Sequence, residues 1–252
     1  MSTVLRSGSA AFSAALHTLD ISADSDEAAA AQLTTLANEG NAAAQALLGR
    51  MYIDGQGVAR DTTQALNWFR LAAAQGHVMA INGVGACLEH GWGTPPDFPA
   101  AATNYRLAAE AGLDEGQYHY ASLLRTGKGL ARDLEQAFTF YNAAAAQGHA
   151  AAMNMVGRFY HEGWAVEVNE LTAIEWYRRS AEGGDFRGQI SYAAVLAEQG
   201  DIDASALWLR EAMKTALPSV LGGLADSLAD SPHEVFQRIS LEMKARIPAA
   251  FK

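Results

Sequence analysis

Cysteine is all but missing. Among 252 residues only Cys87 is present, which excludes an internal disulfide framework and any multi-cysteine metal site. Flanked by Ala86 and Leu88, Cys87 reads as a small buried thiol rather than a nucleophile. Cations are in the minority, with 18 Lys and Arg against 28 Asp and Glu and a formal net charge of -10. Nucleic-acid backbones are held by clustered cations that displace counterions, so nucleic acid is not an expected partner, although a local basic groove is compatible with this balance. No uninterrupted apolar run reaches the ~20 residues needed to span a bilayer, so membrane insertion is not expected. The opening "MSTVLRSGSAAFSAALHTLDISADSD" has a single early arginine, and His17 and Asp20 soon break its apolar run. It reads as a first helix rather than a secretory signal. A cytoplasmic location is the expectation, and a periplasmic one the alternative if this stretch is a processed or atypical signal.

What the chain has is apolar material, 50% of its residues with only 18% charged, and a repeat. Blocks of 36 residues beginning at Asn41, His77, Leu113 and His149 align without gaps. The ninth position reads Gly49, Gly85, Ala121, Gly157, and the fifteenth Gly55, Gly91, Gly127, Gly163. The seventeenth reads Gly57, Gly93, Gly129, Ala165, and the twenty-fifth is always alanine. The twenty-ninth is aromatic (Phe69, Tyr105, Tyr141, Tyr177), and the last is always glycine (Gly76, Gly112, Gly148, Gly184). A strict period of this length means stacked repeats. Apolar residues three and four apart give two helices per block, Ala44, Leu47, Leu48, Met51 and Tyr52 on the first and Ala65, Trp68, Phe69, Ala72 and Ala73 on the second. Glycine suits the turn after each, and Asp61, Asp97 and Asp133 stand where a carboxylate caps the second helix.

The segment "DGQGVARD" between the helices raises the question of a phosphate or calcium loop. It recurs as "HGWGTPPD", "TGKGLARD" and "EGWAVEVN", keeping mostly its glycines. A phosphate loop needs a lysine and hydroxyl in fixed places, and a calcium loop needs carboxylates at alternate positions. Neither pattern is present, so the segment is a structural turn. His77 and His149 are boundary residues, and His90 and His161 lie two repeats apart, too far to share a metal. "His161-Glu162" lacks the second histidine of a zinc-protease helix, and no serine sits in a nucleophile elbow. No cofactor, no metal and no enzymatic activity are expected.

The stretches "ALLGRMYIDGQGVARDTTQALNWFRLAAAQGH", "ASLLRTGKGLARDLEQAFTFYNAAAAQGH" and "NMVGRFYHEGWAVEVNELTAIEWYRRSAEGG" resemble the Sel-one-like repeats, a branch of the tetratricopeptide superfamily. The resemblance implies an all-α fold, a right-handed α-solenoid of stacked antiparallel helix pairs, about thirteen helices in one domain over residues 1–252. Residues 1–40 would be N-terminal capping helices and 41–184 the four full repeats. Residues 185–217 would be a shortened unit of 33 residues, and 218–252 C-terminal capping helices joined at a Ser-Pro. "GWGTPPDFPAA" departs from the family pattern with three prolines, and its loop is expected to be stiffer.

The resemblance also implies function, because in tetratricopeptide-like stacks the first helix of each pair lines a concave groove. Matching Leu48, Gly49 and Tyr52 to the packing positions leaves the third, sixth, tenth, thirteenth and fourteenth columns exposed. They carry Arg50, Asp54, Asn82, Glu89, His90, Tyr118, Ser122, Arg125, Asn154, Arg158, His161, Glu162 and Arg187. Arg50, Ser122 and Arg158 share the tenth column, while Asn82 and Asn154 share the sixth, where an amide can pair with an extended peptide. Arg50, Arg125, Arg158 and Arg187 would form a positive strip for an acidic or C-terminal segment of another protein. The expected function is a non-enzymatic adaptor or scaffold. The alternative is a neutralising partner of an enzyme or toxin. A hydrolytic enzyme is disfavoured, since the family members with proposed hydrolytic activity are disulfide-rich. Arg70, Arg106 and Arg178, in one column of the second helices, offer a second surface.

Overall fold

The computed structural model describes residues 18, 19 and 25–247. Among these residues it contains thirteen helices and no strand: α1 Asp26–Asn38, α2 Ala42–Asp54, α3 Thr62–Ala74, α4 Val78–His90, α5 Phe98–Glu110, α6 Asp114–Thr126, α7 Leu134–Ala146, α8 Ala150–Glu162, α9 Glu170–Glu182, α10 Phe186–Glu198, α11 Ile202–Ala212, α12 Pro218–Ala229 and α13 Glu234–Arg246. The helix expected before α1 lies outside the described residues. Packing divides the protein into two compact units, one up to Phe140 and one from Tyr141, so α7 contributes a half to each.

In the first unit, α2 packs on α3 and α4 on α5, with α1 covering α2. Leu33, Leu48 and Met51 are fully buried at this end. The ninth-column glycine sets how close a pair can come. A Cβ on Gly49 would stand 2.8 Å from the Phe69 ring, and one on Gly85 would stand 2.8 Å from the Tyr105 ring. The recurring pairing of glycine with an aromatic residue is thus a face-to-ring contact between the two helices of one block.

The turns follow one plan. Asp61 N–H donates to Tyr52 O at 3.0 Å, Asp97 N–H to Leu88 O at 2.8 Å and Asp133 N–H to Leu124 O at 3.0 Å. The prolines of the second loop therefore leave its backbone path intact. Each aspartate then caps its second helix, Asp61 accepting from Thr63 and Gln64 N–H, Asp97 from Ala100 and Asp133 from Gln136. Arg60 and Arg132 fold back so that Nε donates at 3.1 Å to Ile53 O and Arg125 O, satisfying carbonyls at the end of the first helix. The second loop glycine has a packing reason as well, since a Cβ on Gly57 would sit 2.1 Å from Asp26 O at the start of α1. Between blocks, Gln45 Nε2 donates to Ala37 O at 3.0 Å and Gln117 Nε2 to Ala109 O at 3.4 Å, tying a first helix to the helix before it.

The second unit repeats these devices. A Cβ on Gly157 would meet the Tyr177 ring at 2.7 Å. Asn169 N–H donates to Tyr160 O at 2.9 Å, and its Oδ1 caps α9 by accepting from Thr172 N–H. Ala165 occupies the position of the second loop glycine with φ 57°. His149 caps α8 through Ala152 N–H, so this boundary histidine has a structural task. The shortened unit is the α10–α11 pair, joined by residues 199–201. The expected last pair is α12 and α13, whose Leu221, Phe236, Ile239 and Met243 pack with Leu209 and Met213. The repeat-ending glycines carry the expected left-handed φ, as in Gly112 at 89° and Gly184 at 85°.

Candidate functional site: the first-helix face

In the first unit, Arg50 on α2 forms an ion pair with Asp54, one turn on, at 3.7 Å. Burial raises the Asp54 carboxyl above its ordinary range, against the pull of Arg50 and Arg60. Glu89 on α4 accepts a 2.8 Å hydrogen bond from the Tyr105 hydroxyl. His90 is exposed, with its ring 4.7 Å from that of Trp92 in the loop. On α6, Tyr118 lies edge-on to His119 and Ser122 O accepts from the Thr126 hydroxyl. Arg125 is half-buried, and its Nε is buried without an acceptor.

In the second unit, Arg158 on α8 lies over the Trp164 ring, 5.1 Å from its centre. His161 and Glu162 are exposed, the histidine ring 6.3 Å from that of Tyr177. Burial, ahead of the opposing influence of Arg158, pushes the Tyr177 phenol up to about 12. Arg187 at the start of α10 is exposed, with its guanidinium over Phe186 and 3.8 Å from Asp185.

Two placements differ from the sequence expectation. Asn82 and Asn154, assigned to an exposed column, are only 8% and 4% exposed, and each has a buried Oδ1 with no donor. Three residues further on stand Gly85 and Gly157, where the second helix makes its closest approach. A helix that admits its partner this closely also covers the columns beside the contact. The four arginines of the expected strip differ in state as well. Arg50 and Arg187 face internal carboxylates, whereas Arg125 and Arg158 have none within ion-pair distance among the described residues. The loop tryptophans Trp92 and Trp164 were not singled out from the sequence. Their signal is recurrence in alternate blocks, at a position held by Gln56 and Lys128 in the others.

Cys87 is fully buried, and burial pushes its thiol up to about 12. Among the described residues no group of three or more His, Cys, Asp or Glu is placed to hold a metal ion, and no helix is long and apolar enough to cross a membrane.

These features define an all-α repeat protein of stacked helix pairs. The chain belongs to the Sel1 repeat family, whose model matches residues 42–77, 78–113, 114–149 and 150–185. Sel1 repeat proteins generally mediate protein–protein interaction, and the fold is typically a non-enzymatic interaction module. No curated protein matches the sequence. Among solved structures, a Sel1 repeat protein from Oxalobacter formigenes is 29% identical, with a TM-score of 0.72 over 86% of this chain and 90% of that one. A protective antigen of uropathogenic Escherichia coli strains, displaying an SLR fold, is 26% identical with a TM-score of 0.67. That match covers 89% of this chain and 49% of the antigen, so this chain spans about half the antigen's length. An immunity protein from Pseudomonas aeruginosa shares the fold at 14% identity, with a TM-score of 0.53 over 75% of each protein.

Proposed function

We propose that the protein is an adaptor or scaffold that binds another protein through its first-helix face, the concave side in solenoids of this kind. The observation that supports this is the pair of half-buried first-helix arginines, Arg125 and Arg158, that face no carboxylate among the described residues. On the second helices, Arg106 pairs with Glu110 at 2.9 Å and Arg178 with Glu175 at 2.8 Å, while Arg70, without an ion pair among the described residues, is exposed to water. On the first helices, Arg125 and Arg158 lack such partners among the described residues. Half-buried cations without internal carboxylates, in a protein of net charge -10, favour an acidic or C-terminal segment and repel basic competitors. Arginines of this kind are frequent energetic anchors of interfaces.

The test has two steps. A pull-down from native lysate with mass spectrometry identifies the partner. Calorimetry then compares the native protein with the Arg125→Glu, Arg158→Glu double variant, after circular dichroism shows an intact fold. Affinity should fall about a hundredfold or more, the scale of losing two anchors. A folded double variant that binds with native affinity would move the site to the second helices or the terminal helices. Several unrelated partners suit a scaffold, whereas one stoichiometric enzyme would make the protein its neutralising partner.

A further inference from the structure

The fourth repeat carries the same Arg-x-x-x-acid spacing as the first, yet the two arginines behave differently. Arg50 turns to Asp54, the acid one helical turn on, at 3.7 Å. Arg158 makes no ion pair with Glu162 although the spacing is identical. Its guanidinium lies instead over Trp164, 5.1 Å from the ring centre. The residue between the two loop glycine positions differs as well, Gln56 in the first repeat and Trp164 in the fourth. Gln56 has no aromatic ring to offer. Trp164 has one, and Phe159 meets it by an edge contact, with ring centres 5.5 Å apart and an interplanar angle of 85°. Phe159 is itself fully buried, so the indole rests on the core.

A guanidinium held over an aromatic ring keeps N–H groups that can still donate to a carboxylate. Those groups match the two oxygens of a carboxylate, and a cation already held on an aromatic ring loses less freedom when it binds.

We propose that Arg158 and Trp164 form a preorganised carboxylate site in the second unit, and that it takes the carboxylate of a peptide segment of another protein. This rests on the first-helix face being the partner surface, and it names the chemistry recognised there. The carboxylate is either a free peptide C-terminus or an Asp or Glu side group.

The test uses the full-length protein and three short probes. They are N-acetyl trialanine with a free C-terminal carboxylate, the same peptide amidated, and the amidated peptide with glutamate at its centre. The Arg158 Nε–H and Trp164 Nε1–H signals are followed by NMR during titration. One or both carboxylate probes should give saturable shifts, and which one does so identifies the source. The uncharged amide should leave the signals in place. Arg158→Gln should weaken probe binding about tenfold or more. Trp164→Leu should weaken it too, although the charge is kept, because Arg158 is then released to Glu162. Adding Glu162→Gln to that variant should restore part of the loss. Equal shifts with the amidated probe, no saturation with any probe, or native affinity in Arg158→Gln would each overturn the site. If the double charge reversal abolishes partner binding while the probes fail to bind, only the carboxylate site falls. If that folded double variant keeps its partner, the first-helix reading falls and the probe titration stands by itself.

Discussion

The Tyr105 hydroxyl donates a 2.8 Å hydrogen bond to Glu89 Oε2, joining the aromatic column that packs the repeat to a column of the first-helix face. Tyr105 is fully buried, and its ring closes over Gly85. Burial first, and then the negative charge of Glu89, raise the Tyr105 phenol above its ordinary range. Glu89 is therefore held in place by the core and does not move freely on the surface.

Tyr105→Phe keeps the ring over Gly85 and removes only this bond. A hydrogen bond to a charged group contributes about 1.5–3 kcal/mol. Urea unfolding of the variant should show a loss of that order with the slope unchanged. Equal midpoints for the two proteins would show that the bond does not form in solution.

Gly85→Ala should be costly for a different reason. The added methyl would lie 2.8 Å from the Tyr105 ring, and that ring is fully buried and has nowhere to retreat. Overpacking of this kind costs about 1–3 kcal/mol. Thermal unfolding checks it, and a melting temperature equal to that of the native protein would contradict the described packing.

Gly112→Val isolates the backbone. The space around a Cβ at Gly112 is open within 4 Å, so the only obstacle is its φ of 89°. A β-branched residue resists that conformation by about 1–2 kcal/mol, and asparagine resists it less. The order Gly, Asn, Val in denaturant midpoints is the expected result. Valine as stable as glycine would mean the turn is formed otherwise.

Alkaline pH should destabilise the fold. The Cys87 thiol, ordinarily 9.0, is pushed up to about 12 by burial, so the folded protein holds that proton longer than the unfolded one does. Its contribution is complete below pH 9 and is lost as pH rises toward 12, at about 1.4 kcal/mol per pH unit. Tyr105, ordinarily 10.0 and also raised, adds the same sign from there upward. Unfolding free energies measured between pH 8.5 and 10 should fall for the native protein and stay flatter for Cys87→Ala, on the order of the slope above. The native thiol should also resist alkylation until the protein is denatured. Rapid labelling of native protein would contradict its burial.

Local features explain why much of this protein was legible in the residues alone. The 36-residue period fixes where each helix starts and stops, because capping and turning depend on neighbours a few positions away. Asp61 caps the helix it precedes, and Gly112 turns where a left-handed φ is required. The stacked helical fold follows from apolar columns that no single repeat can bury. Which polar groups remain available for a partner is a property of three-dimensional neighbours. Asn82 and Asn154 lie in a column that spacing leaves open, and the close approach of the second helix at the glycine three residues on covers them. Arg50 and Arg158 stand in one column, each with an acid one turn away, and the spacing does not tell them apart. The tertiary structure separates them: one guanidinium lies over an indole held by a buried phenylalanine, while the other turns to its carboxylate.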